Sequence, residues 1–370
     1  MCRRVGCVFL IALGVRLVFL FGLALPLADT GMFDKQEILL FEQRAEHVLE
    51  GEQQFAYHEW PVVYFIAGVW AMFGKSDLAL SIVSVVISSL TCLLIYGIGQ
   101  SLGGTRLGLA SALIAAVYPE MIYWSVLPRK ELLLGFFIAF LSFLILWNRR
   151  RVLQLLSFFV VGFLVAVSRI QWVVYPLFLG VLQVGSWLSR VVRRRAFSLI
   201  AVSGVLGVGV VLALLPGILL GVLPPAVWDP IEHAYVSSTG LAFQWWQPGW
   251  MLPRLGSGFA QLWAIAPRTG YGNLGLLLIP FSVSAYLLGL LGVVSVLRSA
   301  VNRSTWVTHV IAPFLLMSVV LSVSAPFMRY RYPLLVPLCL LAGYGTLWGV
   351  DRLPFRRSRA HQDASWFSAS

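Results

Sequence analysis

The sequence predicts an all-α polytopic membrane protein with about ten transmembrane helices and amphipathic juxtamembrane helices in its first external loop. Three observations carry that expectation. Of the 370 residues, 59% are hydrophobic and 11% charged, with a mean hydropathy of +0.86, well above the apolar share of about 45–50% found in soluble domains. Many apolar runs approach the ~20 residues a spanning helix requires, and none shows the strict two-residue alternation of a barrel strand. The arginines, finally, fall in clusters at regular intervals between those runs.

Spans are expected at about 6–28, 78–101, 107–127, 132–148, 152–168, 171–189, 197–220, 274–297, 306–325 and 333–350. The first follows Arg3 and Arg4 and is long for a signal peptide, so it reads as a retained helix. The run 61–73 is different. Thirteen residues at ~1.5 Å each cover about 20 Å of a ~30 Å hydrocarbon core, so this run is read as a juxtamembrane helix. With ten spans and a cytoplasmic N-terminus, 16 of the 24 arginines share one side, including Arg106, Arg149–Arg151, Arg190–Arg195, Arg298, Arg303 and Arg352–Arg359. Inserting an eleventh span at 61–73 would scatter them, against the positive-inside rule. Both termini are then cytoplasmic, with a transmembrane domain over 1–350 and a basic tail over 351–370. Thirteen of the 15 acids lie on the outer side, mainly in the loops 29–77 and 221–273.

The segment 29–61 holds eight acids against Lys35 and Arg44 in a protein of net charge +12. Ile38, Leu39, Phe41, Ala45, Val48 and Leu49 recur at helical spacing, so 36–50 should be an amphipathic helix. Asp34 and Glu37 stand at N-cap and N3 of that helix, a capping box that also fixes a carboxylate at the membrane surface. His58 and Glu59 follow in TyrHisGluTrpPro, where a lone histidine is also an ordinary interfacial residue. Arg16, inside the first span, is either satisfied by neighbouring helices or functional.

Between the third and fourth expected spans, Arg129, Lys130 and Glu131 meet at a helix start. Glu131 can be a simple cap there; the adjacent cations suit an anion such as phosphate. Arg169 and Gln171 sit at a later outer turn. The loop 221–273 carries Trp245, Trp246, His233 and Arg268 among many aromatics, the composition of either an interfacial belt or a sugar-binding cleft. Arg329 and Arg331 in ArgTyrArgTyrPro stand at the outer boundary, where topology disfavours positive charge, and call for an anionic partner. Cys2, Cys7, Cys92 and Cys339 have no metal-type or disulfide-type spacing.

In order along the chain, an acid opening an amphipathic helix, Pro61 and Tyr64 in a second one ending PheGlyLysSer (73–76), TyrGlyIleGly, Pro119, an acid at 131 and a late ArgTyrArgTyrPro make a recognisable set. The sequence resembles the GT-C glycosyltransferases, in the branch of protein O-mannosyltransferases and lipid A aminoarabinose transferases. The likeness covers residues 1 to about 150 and 326–350.

The resemblance implies inverting transfer from a polyprenyl-phosphate-linked sugar to a glycan, lipid or protein acceptor on the extracytoplasmic face. It implies Asp34 or Glu37 as base, Glu131 as the second external acid, and Lys130 with Arg329 or Arg331 beside the lipid phosphate. Arg129 belongs with that phosphate group, and His58, Glu59, Trp245, Trp246 and Arg268 are candidates for substrate contact. No metal or other cofactor is required, although a divalent ion is compatible with the scheme, and no nucleic-acid partner is expected. A multi-pass protein of a bacterial inner membrane, surrounded by membrane lipids, follows from the same likeness. Two other readings stay open: a polymerase or ligase of lipid-linked glycans acting through external arginines and His233, and a lipid or solute transporter, for which the sequence lacks internal repeats.

Overall fold

The computed structural model describes residues 2–26, 36–52, 59–147, 151–169, 172, 174–181, 260, 262–263, 274–298, 303–324 and 328–352. Every element among them is helical. The calls that fall on 197–220, on most of 221–273 and on the basic tail lie outside the described residues.

Helix α1, Cys2–Phe19, continues through a π-helical turn, Leu20–Ala24. Helix α2, Gln36–Leu49, and α3, Trp60–Phe73, follow. Ile38, Phe41 and Ala45 are the buried stripe of α2. Phe41 and Ala45 join Val62, Val63, Ile66 and Trp70 of α3 in one apolar cluster. Gly74 closes α3 by donating its N–H to the Trp70 carbonyl at 2.9 Å, and two residues later the Ser76 hydroxyl caps the next helix by accepting from the Ala79 N–H at 3.3 Å. The PheGlyLysSer motif is thus a helix stop joined to a helix start.

Helix α4, Asp77–Val117, is a hairpin of two legs folded at Gly103–Gly104. Gly104 has φ +84°, a conformation that side chains with a Cβ resist. The legs lie close: a Cβ on Gly99 would stand 2.8 Å from the Gly108 Cα. The expected span 107–127 is broken at Tyr118, which is extended (ψ 116°) because it precedes Pro119. The chain restarts as α5, Pro119–Ser125. Helices α6, Lys130–Trp147, and α7, Arg151–Ser168, and a helical stretch at 174–181 follow.

The last third comprises α8, Leu274–Arg298; α9, which runs 303–324 with a π-helical turn at Val307–Ile311; a 3-10 helix, Met328–Leu334; and α10, Leu335–Arg352. Helices α8 and α10 run side by side, with Gly292 against the Leu341 carbonyl and Gly345 against the Leu288 carbonyl. Small residues of this kind let helices approach to backbone contact where apolar burial in lipid offers no drive. Among the described residues four helices, Arg4–Ala24, Asp77–Val117, Ile279–Arg298 and Arg331–Val350, are long and apolar enough to cross a membrane, with shorter apolar helices besides.

Arg16 is fully buried in this bundle. Its five N–H groups go to Ser88 Oγ (2.9 Å), the carbonyls of Ala12 (3.1 Å), Ala116 (3.2 Å) and Ala115 (3.3 Å), and Cys92 Sγ (3.4 Å). Neighbouring helices satisfy it, as one of the two sequence readings held.

Candidate functional site

The elements bring one group of ionic side chains to a single end of the bundle: the start of α6, the short α5, the end of α7, the 3-10 helix and residue 262. The opposite end holds the Gly103–Gly104 turn and the ends of α8 and α10.

Pro119 opens α5, and Glu120 takes the next position in its first turn. Buried Glu120 faces buried Arg331 from the 3-10 helix, 211 residues away. Arg331 Nε donates to both carboxylate oxygens at 3.1 Å and Nη2 donates to Oε2 at 2.8 Å. Arg331 Nη1 donates to the Tyr286 hydroxyl (2.8 Å) and the Leu262 carbonyl (3.2 Å). Burial holds the Tyr118 hydroxyl protonated far above the usual tyrosine range, and the Glu120 charge adds to this. The anionic partner that the sequence demanded for this arginine is therefore supplied within the chain.

Four residues lie between the end of α5 at Ser125 and Lys130, which with Glu131 begins α6. Glu131 accepts from Arg169 Nη2 at 2.7 Å, with its own side chain 2% exposed. The Arg129 guanidinium lies over the Trp124 ring at 5.2 Å, and Lys130 Nζ over the Phe41 ring at 4.8 Å. Both cations are buried, and aromatic faces attract buried cations more strongly than exposed ones. The 3-10 helix packs on the first turns of α6: the Tyr332 ring fills the space beside Gly135, where a Cβ would come within 2.6 Å. Arg169 thus pairs with Glu131 and Arg331 with Glu120, while Arg129 and Lys130 stand at the start of α6 against Trp124 and Phe41.

Phe41 also ties the amphipathic helix to this cluster. Glu37 is the second residue of α2, four positions before Phe41. Two ion pairs hold α2 in place: Arg44 with the buried Glu59 at the start of α3, and Glu46 with Lys75 before α4. Lys75 also lies 5.5 Å from the centroid of the Trp70 ring. Glu59 thus serves as the α2 tether in this structure.

Of the residues singled out from the sequence, Arg129, Lys130, Glu131 and Arg331 come together here. Arg329 lies in the same 3-10 helix as Arg331. Asp34, His58, Trp245, Trp246 and Arg268 lie outside the described residues. Glu120 is the residue that sequence reasoning passed over; the signal was an acid placed directly after a proline that breaks a span. Among the described residues, no group of three or more His, Cys, Asp or Glu side chains could hold a metal ion.

No curated protein and no solved structure matches the chain. Residues 60–214, which contain Glu120, Arg129, Lys130, Glu131 and Arg169, match the model of the family described as dolichyl-phosphate-mannose-protein mannosyltransferase, and this match indicates a membrane glycosyltransferase of the GT-C type.

Proposed function

We propose that the protein transfers a sugar, with inversion, from a polyprenyl-phosphate donor to an acceptor hydroxyl on the extracytoplasmic face of a bacterial inner membrane. The observation that carries this reading is the contact between Lys130 and Phe41. It sets the first turns of the acid-bearing helix α2 beside the buried cations at the start of α6.

In the reaction, the acceptor oxygen forms a bond to the anomeric carbon while the bond from that carbon to the phosphate oxygen breaks. An acceptor hydroxyl does not ionise near neutrality, so a carboxylate takes its proton as the new bond forms. Asp34 or Glu37 fills that role. The electron pair of the broken bond stays on the lipid phosphate. Arg129 and Lys130 meet its charge at the α6 N-terminus, where the helix dipole adds to theirs. Arg329 flanks the phosphate, and Arg331, paired with Glu120, fixes the 3-10 helix that carries Arg329. Glu131 orients Arg169 at the edge of the same group. The 221–273 loop, with Trp245, Trp246 and Arg268, and the segment at His58 contribute substrate contacts.

The test uses the full-length protein in proteoliposomes with a panel of radiolabelled polyprenyl-phosphate sugars, mannose first. Replacing the base, by Asp34→Asn or Glu37→Gln, should lower turnover about 10²–10⁴-fold. Undiminished transfer in both variants would remove the proposed base. Lys130→Met should raise the donor KM, and an unchanged KM would remove lysine from the phosphate site.

A further inference from the structure

We propose that Arg16 is a positioning residue for this site, holding the C-terminal carbonyls of α4 so that the break at Pro119 aims Glu120 at Arg331. This inference rests on the proposed glycosyl transfer only for its kinetic readout.

The last carbonyls of any helix lack intrahelical partners. In α4 the deficit is deeper, because the Ala115 carbonyl would accept from residue 119, and Pro119 has no N–H. Arg16 donates to that carbonyl and to its neighbour at Ala116. The five acceptors of its N–H groups are neutral, so its charge is balanced by helix-end dipoles. A buried cation placed on dipoles in an apolar bundle is costly, and a neutral cap would satisfy the same carbonyls.

What the charge adds is rigidity at a particular point. Three residues separate the Arg16-held carbonyl of Ala116 from Glu120, the extended Tyr118 and the φ-locked Pro119 among them. On its other side Arg16 donates to Ser88. The hydroxyl of Tyr332, next in sequence to Arg331, lies beside Ser88. Arg16 is therefore linked to Glu120 through the end of α4, and with Ser88 it lies beside Tyr332, the chain neighbour of Arg331.

A double-mutant cycle in the full-length protein tests this. Arg16→Met, Glu120→Gln and the double variant are compared by thermal melting and by transfer from the polyprenyl-phosphate sugar that the wild type uses. Arg16→Met should lower kcat by about 10²-fold, the cost of a displaced group remote from the chemistry, with donor KM moving less. The double variant should lose less in melting temperature than the two single losses added together, because contacts in one network are not additive.

Pro119→Ala gives the second arm. In the Arg16→Met background it returns an N–H to the Ala115 carbonyl, so melting temperature should recover in part while kcat does not. Recovery of both would show that Arg16 only stabilises the fold and would overturn the proposal, as would additive melting losses or wild-type kcat in Arg16→Met. If the wild type transfers none of the sugars tested, the reaction proposed above fails, and the melting cycle alone still decides whether Arg16 acts on Glu120.

Discussion

At the residue scale, the Glu120–Arg331 pair has the larger energetic weight. Two buried charges recover their desolvation cost only when geometry and further hydrogen bonds are complete, and here three carboxylate contacts are joined by Tyr286 and the Leu262 carbonyl. Removing one partner leaves a buried unpaired charge. Glu120→Ala should therefore cost about 3–5 kcal/mol, read as lost melting temperature in detergent; pairing it with Arg331→Met should cost less than Glu120→Ala alone. Lys75 obeys the opposite logic at the surface. Its ion pair with Glu46 raises its proton affinity above the ordinary lysine value, so the contact is fully present below that value and is lost as pH rises through the higher, folded-state value. Loss of this one surface contact should begin only on that alkaline side, read as a small fall in melting temperature that is absent in Lys75→Met. The need of Arg331 for an anion was legible in the sequence. Glu120 as the answer was not, since nothing local marks a partner 211 residues away.

At the scale of elements, turns were legible where glycine or proline dictates them. The expected break between the second and third spans falls at Gly103–Gly104. Gly104→Val should strain the turn by about 1–2 kcal/mol, measurable as a lower melting temperature with the helical content unchanged. The third span was misjudged in extent because hydropathy continues through Pro119 while the backbone cannot. Helix α2 shows the same limit of pattern reading. Its apolar positions were identified, yet only Ile38, Phe41 and Ala45 are buried, whereas Leu39 and Leu49 remain 53% and 50% exposed. Periodicity finds the stripe; it does not say which edge of the stripe meets protein. Those exposed leucines fit a helix lying along lipid.

For the whole molecule, the connectivity places the ionic cluster and the Gly103–Gly104 turn at opposite ends of the bundle. In the topology proposed here the turn is cytoplasmic, so Thr105→Cys should react with a membrane-impermeant thiol reagent only from the cytoplasmic side, and Ser76→Cys only from the other. Labelling of both from one side would refute the orientation. By itself the sequence determined that the chain is a helical membrane protein, that its acids concentrate in the first long loop, and that cations meet an acid at residues 129–131. These properties depend on composition and on spacing within a few turns, which local physics governs. Only the tertiary structure decided that Glu131 meets Arg169, that Glu120 meets Arg331, that Lys130 rests on Phe41 and that Arg16 caps the end of α4. Charges of one sign are interchangeable in a sequence. Which of them pair depends on helices brought together by close packing, and that is a property of the assembled bundle.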